Sequence, residues 1–139
     1  MKENKTREEY IKEFHEAFGL DVNEDPTVKI LQLRKTLIGE EVKELFSDID
    51  EAILHLEKGE EVPQELYLNI LKEMADVQLV LSGTSVALKP LAKLGEAFVR
   101  VCESNMSKLG EDGKPIFRED GKVLKGPKYF SPDLSDLID

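Results

Sequence analysis

Five carboxylates carry the chemistry open to this chain. Glu40, Glu41 and Glu44 lie in the stretch LIGEEVKELF, and Glu73 and Asp76 lie in KEMADV. A helix advances about 100° per residue, so Glu44 falls about 40° and Glu41 about 100° from Glu40, on the arc of Ile30, Leu33 and Leu37. Gln32, Lys43 and Asp50 take the opposite side. Around Glu73 the arc holds Leu66, Ile70 and Val77, and Asp76, the i,i+3 surface neighbour of Glu73, sits beside Val80. A solvated face would hold as many glutamates. Two carboxylate sets, each embedded in an apolar stripe of its own helix, favour the inward reading. Burying like charges together is costly unless something compensates them. Carboxylates with no His or Cys beside them specify a hard cation, Mg²⁺ or Mn²⁺ ahead of Ca²⁺.

A second group lies further along. Asn105 shares an arc with Phe98, and Lys108 falls beside Leu94 and Val101, at the inner edge of a fourth helix. A lysine there can meet a phosphate as a point charge, and an asparagine can serve a phosphate, sugar or base. The plain alternative for Lys108 is a long side chain that suits a helix C-terminus. No Ser/His/Asp or Cys/His nucleophile set is evident. His15 and His55 lie on helices without obvious partners and read as structural or exposed, and Cys102 reads as core. There is no glycine-rich phosphate loop of the two common forms, so phosphate binding would rest on metal and lysine.

The elements that must position these groups are helices. Thr6-Arg7-Glu8-Glu9 has the form of a capping box and predicts a first helix over about 6–18, closed by Gly19. Pro26 and Thr27 open a second that runs to about Lys58, before Gly59. Pro63 introduces a third over about 64–89, apolar on nearly all sides after Met74 and so expected to be central. Pro90 breaks it, and a fourth covers about 91–109. The remainder differs in kind. KPIFREDGKVLKG has short apolar runs around Asp120-Gly121, which predicts a Lys-rich β-hairpin or ordered loop that must lie on something else. The expectation is an all-α, four- to five-helix bundle with a short C-terminal β-hairpin or loop extension. Residues 1–110 would form the helical catalytic domain, and 111–139 a tail packing on it or on a partner subunit.

Net charge is −10, which argues against binding nucleic acid polymers or anionic membranes. It does not exclude a small anion, because a bound metal reverses the local sign. Residues 108–128 hold six basic and four acidic side chains, so the remainder carries −12. A single Cys102 precludes an internal disulfide and suits a reducing compartment. The opening residues lack signal-peptide form, and no apolar run approaches about 18 residues, so the expected location is cytoplasmic.

Taken together, EEVKEL and EMAD have the form E-E-x-x-E … E-x-x-D, with 28 residues between Glu44 and Glu73. With the tail ESNMSKLGEDGKPIFREDGKVLKGPKYFSPDL, the chain resembles the MazG-like all-α nucleoside triphosphate pyrophosphohydrolases, a superfamily that includes dimeric dUTPases and phosphoribosyl-ATP pyrophosphohydrolase. The likeness runs from FHEAFG onward. It implies a Mg²⁺-dependent enzyme, with Mn²⁺ as substitute, that splits the α–β phosphate bond of a nucleoside triphosphate. By motif position, Glu41, Glu44, Glu73 and Asp76 would bind the metal, and Glu40 would help bind or deprotonate the attacking water. Asn105 and Lys108 would line the nucleotide site, with Lys125 and Tyr129 closing over it. A homodimer or homotetramer is implied. Relatives often carry a larger residue where Gly39 stands. The rival readings are a dUTPase-type hydrolase and a non-catalytic helical protein of the same fold.

Overall fold

The computed structural model describes residues 4–138. The expected domain limits at residues 1 and 139 lie outside the described residues. Four α-helices and two short 3₁₀ turns make up the regular structure, with no strand among the described residues. The all-α expectation is met with four helices. The chain forms two compact units, Met1–Ala92 and Lys93–Asp139, so the fourth helix belongs with the tail.

In the first unit, helix α1 (Arg7–Phe18) begins at the capping box the sequence predicts. The Thr6 hydroxyl accepts from the Glu9 N–H at 3.1 Å, and the Glu9 carboxylate accepts from the Thr6 N–H at 3.4 Å. Gly19 ends it in the left-handed region, φ 68°, where a side chain would be strained. Helix α2 (Val28–Glu57) is capped by Thr27, whose hydroxyl accepts from the Ile30 N–H. Helix α3 (Gln64–Ala87) starts after Pro63 and packs against both α1 and α2, so it is central as expected.

The α2–α3 seam has a clear sequence basis. Positions 34, 38, 41, 45, 48, 52 and 55 of α2 are all buried or half-buried, and so are 66, 70, 73, 77, 80, 84 and 87 of α3. Alternating steps of four and three are the spacing of knobs-into-holes packing. Ala52, Leu66, Val80 and Ala87 form its apolar core. This corrects the helical-wheel reading of α2. The buried stripe is centred on Arg34, Glu41 and Asp48, while Leu33, Glu40 and Glu44 are exposed. The stripe tracks the 3.5-residue repeat of two wrapped helices, which shifts it by a residue from an arc drawn around Glu40.

The C-terminal end of α3 is built from small residues. Ser82, Gly83, Ser85 and Ala87 are all buried, which lets neighbouring backbone approach. Here Arg34, 7 % exposed, donates to the Val80 carbonyl and the Thr84 hydroxyl, at 3.0 and 3.1 Å. His15 is also buried, and its Nδ1 donates to the Asp21 carbonyl at 2.7 Å. Gly83 is required at this place. An added Cβ would lie 2.5 Å from Arg34 Nη2 and 3.1 Å from His15 Nε2. Ser82 Oγ donates to the Glu8 carboxylate of α1 at 2.7 Å, which ties α3 to α1.

The second unit holds α4 (Leu94–Met106) and the tail. The tail is pinned to the helix by polar bonds. Ser104 Oγ donates to the Phe130 carbonyl, the Phe130 N–H donates to Ser107 Oγ, and Arg100 reaches the Asp133 carbonyl and the Asp136 carboxylate. Gly126 lies so close to Lys108 and Leu109 that a Cβ would run into their carbonyl oxygens. Two expectations are corrected here. The β-hairpin does not form: Phe117 and Val123 make one antiparallel bridge and nothing longer. It goes no further because the next ladder pair is engaged elsewhere: the Lys114 carbonyl accepts from the Gly110 N–H and the Gly126 N–H donates to the Lys108 carbonyl. Cys102 is exposed rather than core.

Candidate functional site

The carboxylates of the first unit meet along the α2–α3 seam. Burial pushes the Glu41 carboxyl up from its ordinary range, and the negative charges of Glu44, Asp76 and Glu40 push it the same way, while the Lys72 ammonium opposes them. Burial likewise raises Glu73, to about 6. Asp48 adds to the rise, as does Glu44, and Lys72 again opposes it. These mutual effects place Glu40, Glu41, Glu44, Glu73 and Asp76 in one electrostatic neighbourhood. Two oxygens in it, Glu41 Oε2 and Glu73 Oε1, are buried without a hydrogen-bond partner. Orphaned acceptors of this kind are costly unless a proton or a cation satisfies them.

Glu40 and Glu44 sit at the rim. With Lys43, Ser47 and Asp48 they line a groove of about 430 Å³ along α2. Lys72 sits one α3 turn before Asp76 and binds its Oδ2 at 2.8 Å.

Two members of the neighbourhood, Asp48 and Lys72, were not singled out from the motif. Both had a signal. Asp48 follows Glu41 by seven residues, so it returns to the same seam one heptad on. Lys72 precedes Asp76 by four, the spacing of a helix ion pair.

The donors suit a hard divalent cation in type. They are carboxylate oxygens throughout, and two of them are buried and orphaned. Among the described residues no group of three or more His, Cys, Asp or Glu side chains is already gathered at metal-ligand spacing. Part of the reason is visible, since Asp76 is turned to Lys72.

Three of the four residues expected to meet substrate come together in the second unit. The Lys125 ammonium lies over the Tyr129 ring, 4.9 Å from its centroid. The Tyr129 phenol is held below its usual range by the hydroxyls of Ser131 and Ser104, and then by the charges of Lys125 and Lys108. Two ammonium groups beside a phenol and hydroxyls make an anion-facing cluster. Asn105 is not part of it, because its Nδ2 donates back to the Val101 carbonyl of its own helix. Ser131 and Ser104 carried no sequence signal, since they act through the tail's path over α4.

The fold and site define an all-α protein with an acidic interhelical seam. No helix of the described residues is long and apolar enough to cross a membrane. Neither a family model nor a curated protein matches the chain.

Proposed function

We propose that this chain is a Mg²⁺-dependent nucleoside triphosphate pyrophosphohydrolase of the MazG-like type, releasing a nucleoside monophosphate and pyrophosphate in the control of nucleotide pools. The observation that carries the reading is the pair of orphaned, buried carboxylate oxygens on Glu41 and Glu73, with the charge of Glu44 at the rim acting on both and that of Asp76 on Glu41. Glu41, Glu44, Glu73 and Asp76 would hold Mg²⁺ or Mn²⁺. A bound ion of this kind supplies charge neutralisation at the phosphates and a more acidic bound water.

The chain's own residues do the rest. Glu40, exposed at the rim, orients the attacking water and accepts its proton. Water oxygen bonds to the α-phosphorus as the α–β bridging bond breaks, and pyrophosphate leaves with the bridging oxygen. Such a reaction needs positioning and charge stabilisation more than covalent help. By the resemblance, Lys108, Lys125 and Tyr129 would serve the phosphates and Asn105 the sugar or base, roles that ammonium, phenol and amide groups suit chemically.

The working form in this reading is a homodimer or homotetramer in the cytoplasm. Phe46, Leu54, Leu68, Leu71 and Met74 of the first unit are each more than half exposed, and a second copy of the chain would cover such a surface. The free thiol of Cys102 is in keeping with a reducing compartment.

The test is a panel of each ribo- and deoxyribonucleoside triphosphate with Mg²⁺, measuring pyrophosphate, monophosphate and orthophosphate. Equal yields of pyrophosphate and monophosphate are expected. Orthophosphate as the product would sink α–β cleavage, turnover of dUTP alone would favour the dUTPase reading, and no turnover of any would favour a non-catalytic role.

A further inference from the structure

The acidic seam contains its own cation. Lys72 lies on α3 directly before Glu73, and its Nζ binds Asp76 Oδ2 at 2.8 Å. Its side chain is 73 % exposed, against 30 % for Asp76, so the ammonium reaches in from solvent along its aliphatic stem. Its influence extends past that one contact. Lys72 is the cation whose charge acts on both Glu41 and Glu73, and it is itself held by Asp76, Glu41 and Glu44. An ammonium on Asp76 Oδ2 and a divalent cation on the same carboxylate repel each other and compete for its charge.

We propose that Lys72 is the resident counter-ion of this seam: it neutralises the carboxylates of the metal-free chain and is displaced from Asp76 when the divalent cation enters. The inference rests on the metal reading above and adds an exchange to it. Binding becomes the replacement of one monovalent charge by one divalent ion, so the metal-free chain is protected from its own repulsion and metal affinity is lowered to match. Once displaced, the ammonium swings to the solvent side of the same turn of α3. There it remains a positive charge beside the seam, available to an anion that approaches with the metal.

The experiment uses the full chain and three forms: wild type, Lys72→Met and Lys72→Arg. Mn²⁺ binding is measured by calorimetry, and thermal unfolding is followed with chelator and with Mn²⁺. Lys72→Met should bind Mn²⁺ tighter, by up to roughly thirtyfold, the order expected on removing a unit charge about 4 Å from a divalent ion in a water-like dielectric. It should also unfold at lower temperature without metal and gain more from added Mn²⁺. Lys72→Arg should stay close to wild type, and 0.5 M salt should shrink the difference, because exposed charge is screened. Equal or weaker Mn²⁺ binding by Lys72→Met, with wild type binding normally, would overturn the exchange alone. Absence of Mn²⁺ binding by wild type would overturn the metal reading and the exchange with it.

Discussion

Asp48 of α2 and Glu73 of α3 are both half-buried on the helix seam, where the Asp48 carboxylate acts on the Glu73 carboxyl. Two carboxylates so placed cannot both stay ionised without cost, so one retains a proton into a range where exposed glutamates have lost theirs. Glu73 is the one displaced upward, from 4.5 to about 6, first by burial and then by Asp48. The folded state therefore binds more protons than the unfolded state between those values. In chelator, this group's contribution makes stability fall as pH rises through about 4.5 to 6, and then level off. Urea melts across that interval should show the descent, and Glu73→Gln should flatten it. Added Mn²⁺ should restore stability at pH 7, where the carboxylates are charged and available as ligands.

Turnover should depend on the seam and not on the fold. Glu44→Ala and Asp76→Ala are expected to abolish pyrophosphate release while far-ultraviolet circular dichroism stays that of the wild type. Glu44 is exposed and Asp76 only half-buried, so neither side chain supports the apolar core. Near-normal activity in either variant would remove it from the metal set.

Gly83 separates α3 from the buried Arg34 and His15 side chains. Gly83→Ala should cost about 1–3 kcal/mol, the usual penalty of overpacking a site whose neighbours cannot retreat. Arg34 is held by the Val80 carbonyl and the Thr84 hydroxyl, which leaves little room for adjustment. The check is the urea midpoint of Gly83→Ala at constant m-value.

Gly39 makes the opposite prediction. It is exposed in the middle of α2, and a Cβ added there would meet nothing within 4 Å in this chain. Gly39→Ala should stabilise the helix by about 1 kcal/mol. If it instead lowers the melting temperature in a concentration-dependent way, Gly39 is a place where another molecule approaches the backbone.

Sedimentation at micromolar concentration should give the mass of a dimer or tetramer. Leu71 is 65 % exposed on α3, and Leu71→Glu should shift the distribution toward a smaller species if that face is shared with a second copy. A wild-type chain that sediments as a monomer would remove the oligomeric assembly from the reading.

The elements were legible because their signals are local. Thr6 and Glu9 cap α1, Gly19 and Gly59 adopt positive φ beyond helix ends, and Pro63 precedes α3, each where its own backbone chemistry requires. The acidic character of the seam was legible for the same reason, since i,i+3 and i,i+4 spacing on one helix is a matter of geometry. The hairpin failed as an expectation because Asp120-Gly121 makes a turn whatever its arms do. Whether arms pair depends on where Lys114 and Gly126 are held, and both are bonded elsewhere in the unit.

By itself the sequence determined four helices, the caps of the first two, and five carboxylates set among aliphatic residues. Tertiary structure decided which carboxylates face the partner helix. It turned Glu41 and Glu73 inward, left Glu40 and Glu44 at the rim, and added Asp48 and Lys72 to the group. It also buried Arg34 and His15 against Gly83, and gathered Lys108, Lys125 and Tyr129 around one phenol. The physical reason is register. Spacing along one helix fixes which residues are neighbours on that helix. Which turns of two helices meet depends on how their small and large side chains interlock, and no single stretch of chain contains that information.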